Sequence, residues 1–472
     1  MIARALAVVL AASVTFGAAQ AAAPVATASL DVLDFIELQI VYTTILARYD
    51  ERVSPRTLVD GARTGVVAYL GENGIENADA PFTPPRIDAG AGEDLVDALV
   101  VRALARYGKR LDGHRLVQAA VAGELAALHD PYSLLFRPRA FAKFNAFLGN
   151  GSFGGIGAVV SLDRARGEAT IDRVLPGSPA ARAGLARGDA IVAVAGRAVR
   201  ELGDGAALRD VLRGKIGTPV TLAYHKYVGT FPIHDTVATF HEGATTSVTL
   251  VRAAVRDPEV TTARFGDIGY LALSRFGDRA GDELAAALRD FKADGVRGIV
   301  LDLRANGGGY GDEATAVASL FLPSGPVFTT RERGGTPTVA RATGTPIWTG
   351  PLAVLVDGDT ASAAEIVAGA IQDDAAGTLV GARTFGKGVV QSVFPLPDGS
   401  AVKLTTARYT TPKGRDIDRV GILPDIAVAE PTGSRTGDPA ADPQLARALA
   451  LWDAGGPFAG TPTRPPIPAP SP

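Results

Sequence analysis

The chain has 472 residues, a formal net charge of -3, five histidines and no cysteine. That length provides for about three domains with real cores. The near-neutral charge without a basic stripe argues against nucleic acid as a partner, and the missing cysteines exclude disulfides, thiol catalysis and a lipid-modified cysteine.

Met1-Ile2-Ala3-Arg4, an apolar run from Ala5 to Val14, and Ala19-Gln20-Ala21 have the three parts of a secretory signal peptide. The run is shorter than the roughly 20 residues a membrane span needs. Residues 1–23 are therefore expected to be a signal peptide, with the exported protein starting near Ala22 to Pro24. The Ala/Gly/Arg/Asp-rich composition suggests the periplasm of a Gram-negative bacterium.

Residues 24–147 read as a helical N-terminal domain. Leu33, Ile36, Ile40, Val41 and Ile45 form one apolar face, and Leu95, Leu99, Ala103 and Tyr107 another. Leu46-Ala47-Arg48-Tyr49 matches Leu104-Ala105-Arg106-Tyr107, and Leu58-Val59 with Ala62 and Gly65 matches Leu116-Val117 with Ala120 and Gly123. Two helical hairpins of similar design would explain this, as would chance in an Ala/Leu-rich stretch. Asn77 to Gly92, with three prolines, reads as a loop. The domain is expected to act as a cap or as the surface of a homo-oligomer rather than as a site.

Residues 148–256 change character. A glycine-rich loop from Gly149 to Gly157 precedes the strand Ala158 to Leu162, then Ala169 to Val174, Pro176-Gly177-Ser178-Pro179-Ala180, Ala183-Gly184-Leu185 and Gly188 to Val194. This order resembles a PDZ domain of the bacterial protease type. A turn of N–H groups over Phe153, Gly154, Gly155, Ile156 and Gly157 would hold a terminal carboxylate, with an extended peptide added to the neighbouring strand edge. Phe153, Ile156, Val159, Leu208 and Leu212 would line the pocket, which implies ligands with an apolar last residue. His225, His234 and His241 lie in an insert from Tyr224 to Gly243. Their spacing matches no standard metal pattern, and a longer surface hairpin is expected there.

Residues 257–430 alternate strand and helix: strand Ile268 to Leu273, helix Asp282 to Lys292, strand Gly298 to Leu303, helix Asp312 to Leu322. Between the last two stands Arg304-Ala305-Asn306-Gly307-Gly308-Gly309. A phosphate loop is rejected because no Gly-Lys-Ser/Thr follows. The Gly308 N–H is instead expected as an oxyanion donor. Strand Leu352 to Val356 turns through Asp357-Gly358-Asp359 into a helix running to about Ile371, with Ser362 at its start and the Ala363 N–H as a first-turn donor. Thr378 to Val380, Val389 to Pro395 and Ala401 to Tyr409 continue the sheet. Lys387 lies between Gly386 and Gly388 beside Phe385, Val389 and Val390.

All five histidines precede the segment that carries this serine. Nucleophilic catalysis here therefore needs Ser or Thr with Lys or a carboxylate as base. A lysine at its ordinary pKa is neutral at pH 7 only at a cost of about 4.6 kcal/mol, which burial has to reduce. Beyond Glu430, residues 431–472 are read as a short helix from Pro443 to Trp452 and a disordered Pro-rich tail.

The chain resembles the C-terminal processing peptidases, or tail-specific proteases. The matching stretches are His129-Asp130-Pro131-Tyr132-Ser133, Phe153 to Gly157, Asp302-Leu303-Arg304 with Asn306 to Gly309, Thr360 to Ile366, Thr384 to Gln391, Leu404 to Tyr409, Thr411 to Arg415 and Gly421 to Asp425. The resemblance implies a multidomain α/β protein with a helical N-terminal domain, a PDZ domain and a crotonase-like α/β serine peptidase core. It implies Ser362 as nucleophile, Lys387 as base and Gln391 as the residue that orients the lysine, with no cofactor and no metal. Substrates would be proteins with apolar C-terminal tails, with a periplasmic adaptor as a candidate partner. Three positions depart from the family pattern: Gly307 replaces a proline, Ala364 a second serine, and His129 a leucine. A fully extended chain would hold residues 387 and 391 about 13 Å apart, so a helical turn is expected from Gly386 to Gln391. The alternative function is a non-catalytic tail-binding scaffold, and a resting state closed by the PDZ domain would use the 149–157 loop as a hinge.

Overall fold

The computed structural model describes residues 30–76, 87–148, 153–163, 166–175, 177–233, 236–241, 244–255, 258–429, 437–453 and 458. The signal segment, most of the 77–92 loop, Gly149 to Ser152, His234 and most of the Pro-rich tail lie outside them, as does the side chain of Phe153. The chain forms two compact units, divided after Leu148 and before Glu259.

The first unit opens with α1 (Val32–Arg48), α2 (Pro55–Glu72), α3 (Ala89–Tyr107) and α4 (Gly113–Ala126). Asp31, Ser54, Asp88 and Asp112 cap them, each side chain accepting an N–H of the first turn, and Pro55 follows its cap where no N–H is needed. The repeated residues meet where α2 crosses α4. A Cβ on Gly65 would stand 2.0 Å from the Ala119 carbonyl oxygen, and one on Gly123 would stand 2.1 Å from that of Gly61. Leu58, Val59, Ala62, Leu116, Val117 and Ala120 pack around this crossing, all buried.

The expected apolar face of α1 is corrected. Leu33 is 47% and Ile36 36% exposed, while Leu38, Val41, Tyr42 and Ile45 face the core. Asp34 and Glu37 turn inward instead. Asp34 meets the His114 imidazole of α4 at 2.9 Å, and Glu37 accepts the Asp398 N–H at 3.0 Å. His129, for which the sequence offered no reason, has φ 51° in the turn after α4, a conformation histidine tolerates better than leucine. β1 (Leu134–Phe136) and α5 (Pro138–Leu148) end this segment.

In the second unit β2 (Phe153–Gly155) leads to β3 (Ala158–Asp163), β4 (Glu168–Val174), α6 (Pro179–Arg182), β5 (Ala190–Val194), β6 (Arg197–Ala198) and α7 (Gly205–Leu212). β7 (Pro219–His225), β8 (Tyr227–Ile233), β9 (Thr236–His241), β10 (Thr246–Val251) and β11 (Ala253–Val255) complete it. The sheet runs β10-β7-β5-β4-β3 with β6 beside β5, and β8 pairs with β9 as a separate hairpin within the insert.

The chain then returns to the first unit with β12 (Val260–Phe265), β13 (Ile268–Leu273), α8 (Ala280–Ala293), β14 (Gly298–Asp302), α9 (Gly311–Ser319), β15 (Pro326–Glu332) and β16 (Thr338–Arg341). β17 (Leu352–Val356), α10 (Ala363–Asp373), β18 (Thr378–Gly381), β19 (Val389–Pro395), β20 (Ala401–Thr410), β21 (Ile426–Ala427) and α11 (Pro443–Leu449) follow. One sheet is ordered β12-β13-β14-β17-β18-β21 and is parallel from β13 onward. β14 and β17 are buried at every residue, as expected for central strands covered on both faces. The other sheet is β1-β20-β15-β16, with β19 also on β20. Its β19–β20 hairpin faces two ways, with Leu396, Val402 and Leu404 inside the core of α1–α4.

Candidate active site

β14 and β17 are parallel neighbours, with Asp302 opposite Leu355, so the loops after them leave the same sheet edge. The end of β14 is anchored by Arg304, whose buried guanidinium reaches Asp302 at 2.6 Å and Asp442 at 2.7 Å, while Tyr270 donates to Asp302 at 2.7 Å. A buried charge is tolerated when its donors are matched in this way. In the loop, Asn306 donates to the Leu273 carbonyl at 2.7 Å and accepts the Gly308 N–H at 2.9 Å. Gly308, at φ 96°, approaches the nucleophile loop so closely that a Cβ would lie 2.8 Å from that of Ser362.

The two loops are bonded to each other. Asp357 accepts the Ala305 N–H at 3.0 Å, Thr360 Oγ1 donates to the Leu303 carbonyl at 2.9 Å, and the Ala361 N–H donates to the Asn306 carbonyl at 2.9 Å. Ser362 follows with φ 57° and ψ -117°, a strained conformation at the entry to α10. Among the described residues the N–H of Ala363, the first of the helix, has no partner.

One carboxylate links Ser362 and Lys387. Glu365, fully buried, accepts the Ser362 N–H at 2.9 Å and the Lys387 N–H at 2.8 Å through Oε2. Through Oε1 it accepts the Gly386 N–H at 2.7 Å and the Thr384 hydroxyl at 2.6 Å. The Lys387 amine has no hydrogen bond or ion pair among the described residues and stands 5.1 Å from the centre of the Tyr132 ring. Burial, and then the positive charge of Lys403, push its pKa down to about 8. Being neutral at pH 7 then costs about 1.4 kcal/mol. Phe385 does not contribute to this burial, because it is 53% exposed; the Tyr132 ring lies against the amine in its place.

Two expectations about this site are corrected. No helical turn spans Gly386 to Gln391: β19 begins at Val389, and a bulge shifts the register between Val390 and Gln391. The Gln391 amide donates to Thr405 Oγ1 at 3.3 Å and is not bonded to Lys387. Strand pairing to β20 overrides the local turn that direct contact would require. The Gly308 N–H, expected to point at an oxyanion, is taken up by Asn306. The space above Ser362 is a cleft of about 890 Å³ that Ser362, Lys387, Gln391, Gly308, Lys403 and Tyr409 help to line.

Sequence reasoning missed Glu365, Tyr132 and Lys403 as parts of the site. Glu365 had a readable signal, since Ser-x-x-Glu at a helix start is a capping pattern. Tyr132 lies far from the dyad in sequence and reaches it only through tertiary packing.

In the second unit, Phe153–Gly155 is not a turn but a strand paired with Ala253–Val255, and the Gly154 carbonyl accepts the Gly214 N–H at 2.8 Å. Ile156, Leu208 and Leu212 are buried in the core with 1–5% exposure, whereas Val159 is half-buried. Ile156, Leu208 and Leu212 therefore pack as core residues of this unit. Away from the cleft, Asp34, Glu37 and His114 bring ligand atoms within 4.8 Å of one another. Both His114 nitrogens are already matched to carboxylates, Asp34 at 2.9 Å and Asp398 at 3.1 Å, so the group is an ion-pair cluster.

Residues 267–428 match the family model of peptidase family S41, and residues 170–225 match that of the PDZ domain. The carboxyl-terminal-processing protease of a Picosynechococcus species is 37% identical over 316 residues, covering 66% of this chain and 73% of that protein. The carboxy-terminal-processing protease of Bartonella bacilliformis is 34% identical over 336 residues, covering 70% and 73%. A solved structure assigned to the S41 proteases of Bacteroides fragilis shares the fold, with a TM-score of 0.50 and 18% identity over 87% of this chain and 96% of that one. The fold and site define a serine-type peptidase carrying a PDZ domain. The chain belongs to the C-terminal processing peptidases of family S41.

Proposed function

We propose that the chain is an exported endopeptidase that captures protein C-terminal tails through its PDZ domain and cleaves them by a Ser/Lys acyl-enzyme mechanism. The observation that carries this is that Glu365 ties the backbone of a strained helix-start serine to that of Lys387, whose amine is held near pKa 8 and lines the same cleft. Ser362 Oγ attacks the scissile carbonyl carbon as its proton passes to the Lys387 amine. The Ala363 N–H steadies the oxyanion. Collapse breaks the C–N bond, the departing amine takes the proton, and water attacking the ester regenerates Ser362. Gln391, on β19, lines the same cleft without bonding the amine.

The leader-like start supports export; among the described residues no helix is long and apolar enough to cross a membrane. The test measures cleavage of one tailed protein carrying either a free or an amidated C-terminus. Ser362→Ala and Lys387→Ala are expected to abolish cleavage with the fold intact, and amidation to weaken it. Near-normal turnover by Lys387→Ala would require another base.

A further inference from the structure

We propose that Lys403 is a carboxylate-binding group of the cleft, which holds an acidic side chain or the terminal carboxylate of a peptide lying next to Ser362. This rests on the cleft being the peptidase site.

Three observations place it there. Lys403 pairs across the hairpin with Val393, and Gln391 pairs with Thr405, so Gln391, Val393 and Lys403 all lie on the cleft side. Its neighbours Val402 and Leu404 are buried in the α1–α4 core, so alternation along the strand commits the lysine to the cleft. Second, the half-buried ammonium makes no hydrogen bond or ion pair among the described residues. It stands 5.9 Å from the centre of the Phe136 ring. Third, among the described residues no carboxylate is within ion-pair distance, and Asp130 acts on it only as a nearby charge. Asp130 is engaged by the Tyr132 N–H at 2.9 Å and the Ser133 hydroxyl at 2.5 Å, and Glu313, another cleft residue, is taken by the Gly281 N–H at 2.8 Å.

An unmatched cation in a substrate cleft sits at a cost that an anionic ligand would reverse. Burial holds the amine below its ordinary pKa, outweighing the nearby charge of Asp130. A peptide carboxylate would supply that partner through a charge-assisted hydrogen bond.

The test uses the full chain and pairs of fluorogenic peptides. One series carries Glu or Gln at each position within three residues of the scissile bond. A second carries a free or an amidated C-terminus. The wild type is expected to favour the carboxylate member of at least one pair by about tenfold in kcat/KM. Lys403→Met should bring that ratio close to one, Lys403→Arg should keep it, and Lys403→Glu should invert it, with circular dichroism confirming the fold of each variant. The pair that responds distinguishes a side-chain from a terminal carboxylate. A ratio unchanged in Lys403→Met at every position and terminus would overturn the assignment. So would an equal loss on all peptides with a shifted pH profile, since Lys403 would then act only as a charge beside Lys387. Cleavage surviving Ser362→Ala would overturn the serine mechanism, while the Lys403 ratio on the same peptides stands or falls by itself.

Discussion

The Glu365 carboxylate accepts the Lys387 N–H at 2.8 Å through the same oxygen that accepts the Ser362 N–H at 2.9 Å. Ser362 and Lys387, on different elements, thus share one fixed point. Glu365→Gln keeps the shape but replaces an acceptor with a donor facing N–H groups. It is expected to lower kcat by about 10–100-fold with little change in KM, because it displaces both groups at once. Glu365→Ala leaves four buried donors unmatched and should cost stability by several times the roughly 1–3 kcal/mol of one such group. Kinetics together with urea melts check both.

The depressed pKa of Lys387 gives two dependences on pH. As the proposed base, Lys387 must be neutral, so kcat/KM should rise with pH through about 8 and then level off. For stability the sign is that of a lowered pKa: the contribution is present above 10.5 and is lost as pH falls through about 8. At pH 7, Lys387→Met should therefore be inactive yet more stable by up to about 3 kcal/mol, with the gain fading above pH 10. Thermal melts across that range measure it.

The cluster of Asp34, Glu37, His114 and Asp398 titrates differently. Burial, then the Asp398 charge, raise the Glu37 pKa from 4.5 to about 7. His114 is raised above 6.5, its carboxylate partners outweighing burial. Both contributions are full at low pH and are lost as pH climbs through these values. Asp398, lowered by Ser400 and Gln118 hydrogen bonds against its burial, acts in the opposite sense and fails only below 3.8. The attachment of α1 and α4 to the β19–β20 turn should be tightest near pH 4 to 5. Glu37→Gln should flatten the fall in Tm between pH 4.5 and 7, and His114→Gln the fall above it.

Two glycines of α2 make a controlled pair. Gly65→Ala forces a methyl into the Ala119 carbonyl and should cost about 1–3 kcal/mol or more. Gly71→Ala meets nothing within 4 Å and should stabilise by about 0.5–1 kcal/mol. Chemical denaturation of both variants provides the comparison.

Elements whose pattern is local were legible in the sequence. Leu352–Val356 and Val389–Pro395 match their expected bounds because an apolar run in the first and a Val/Phe-rich run in the second are each bounded by turn residues. Ser362 was legible from the strand, turn and helix around it. The inward rotation of Asp34 and Glu37 was not, because it depends on His114 and Asp398 from distant elements. Nor was the bulge at Val390 and Gln391, which β20 imposes from across the ladder. The same holds for the Asn306 side chain closing on Gly308, since a short polar residue before glycines suits several turns equally.

Because alternate side chains of the β19–β20 hairpin serve two different interiors, neither can be exchanged without the other. A chimera joining the catalytic sheets of this chain to the N-terminal helices of a relative would mismatch Leu396, Val402 and Leu404 against foreign partners. The error would pass through a single strand thickness to Gln391 and Lys403. Recombination between relatives is thus constrained to move residues 30–148 together with 389–410, although more than two hundred positions separate them in the gene.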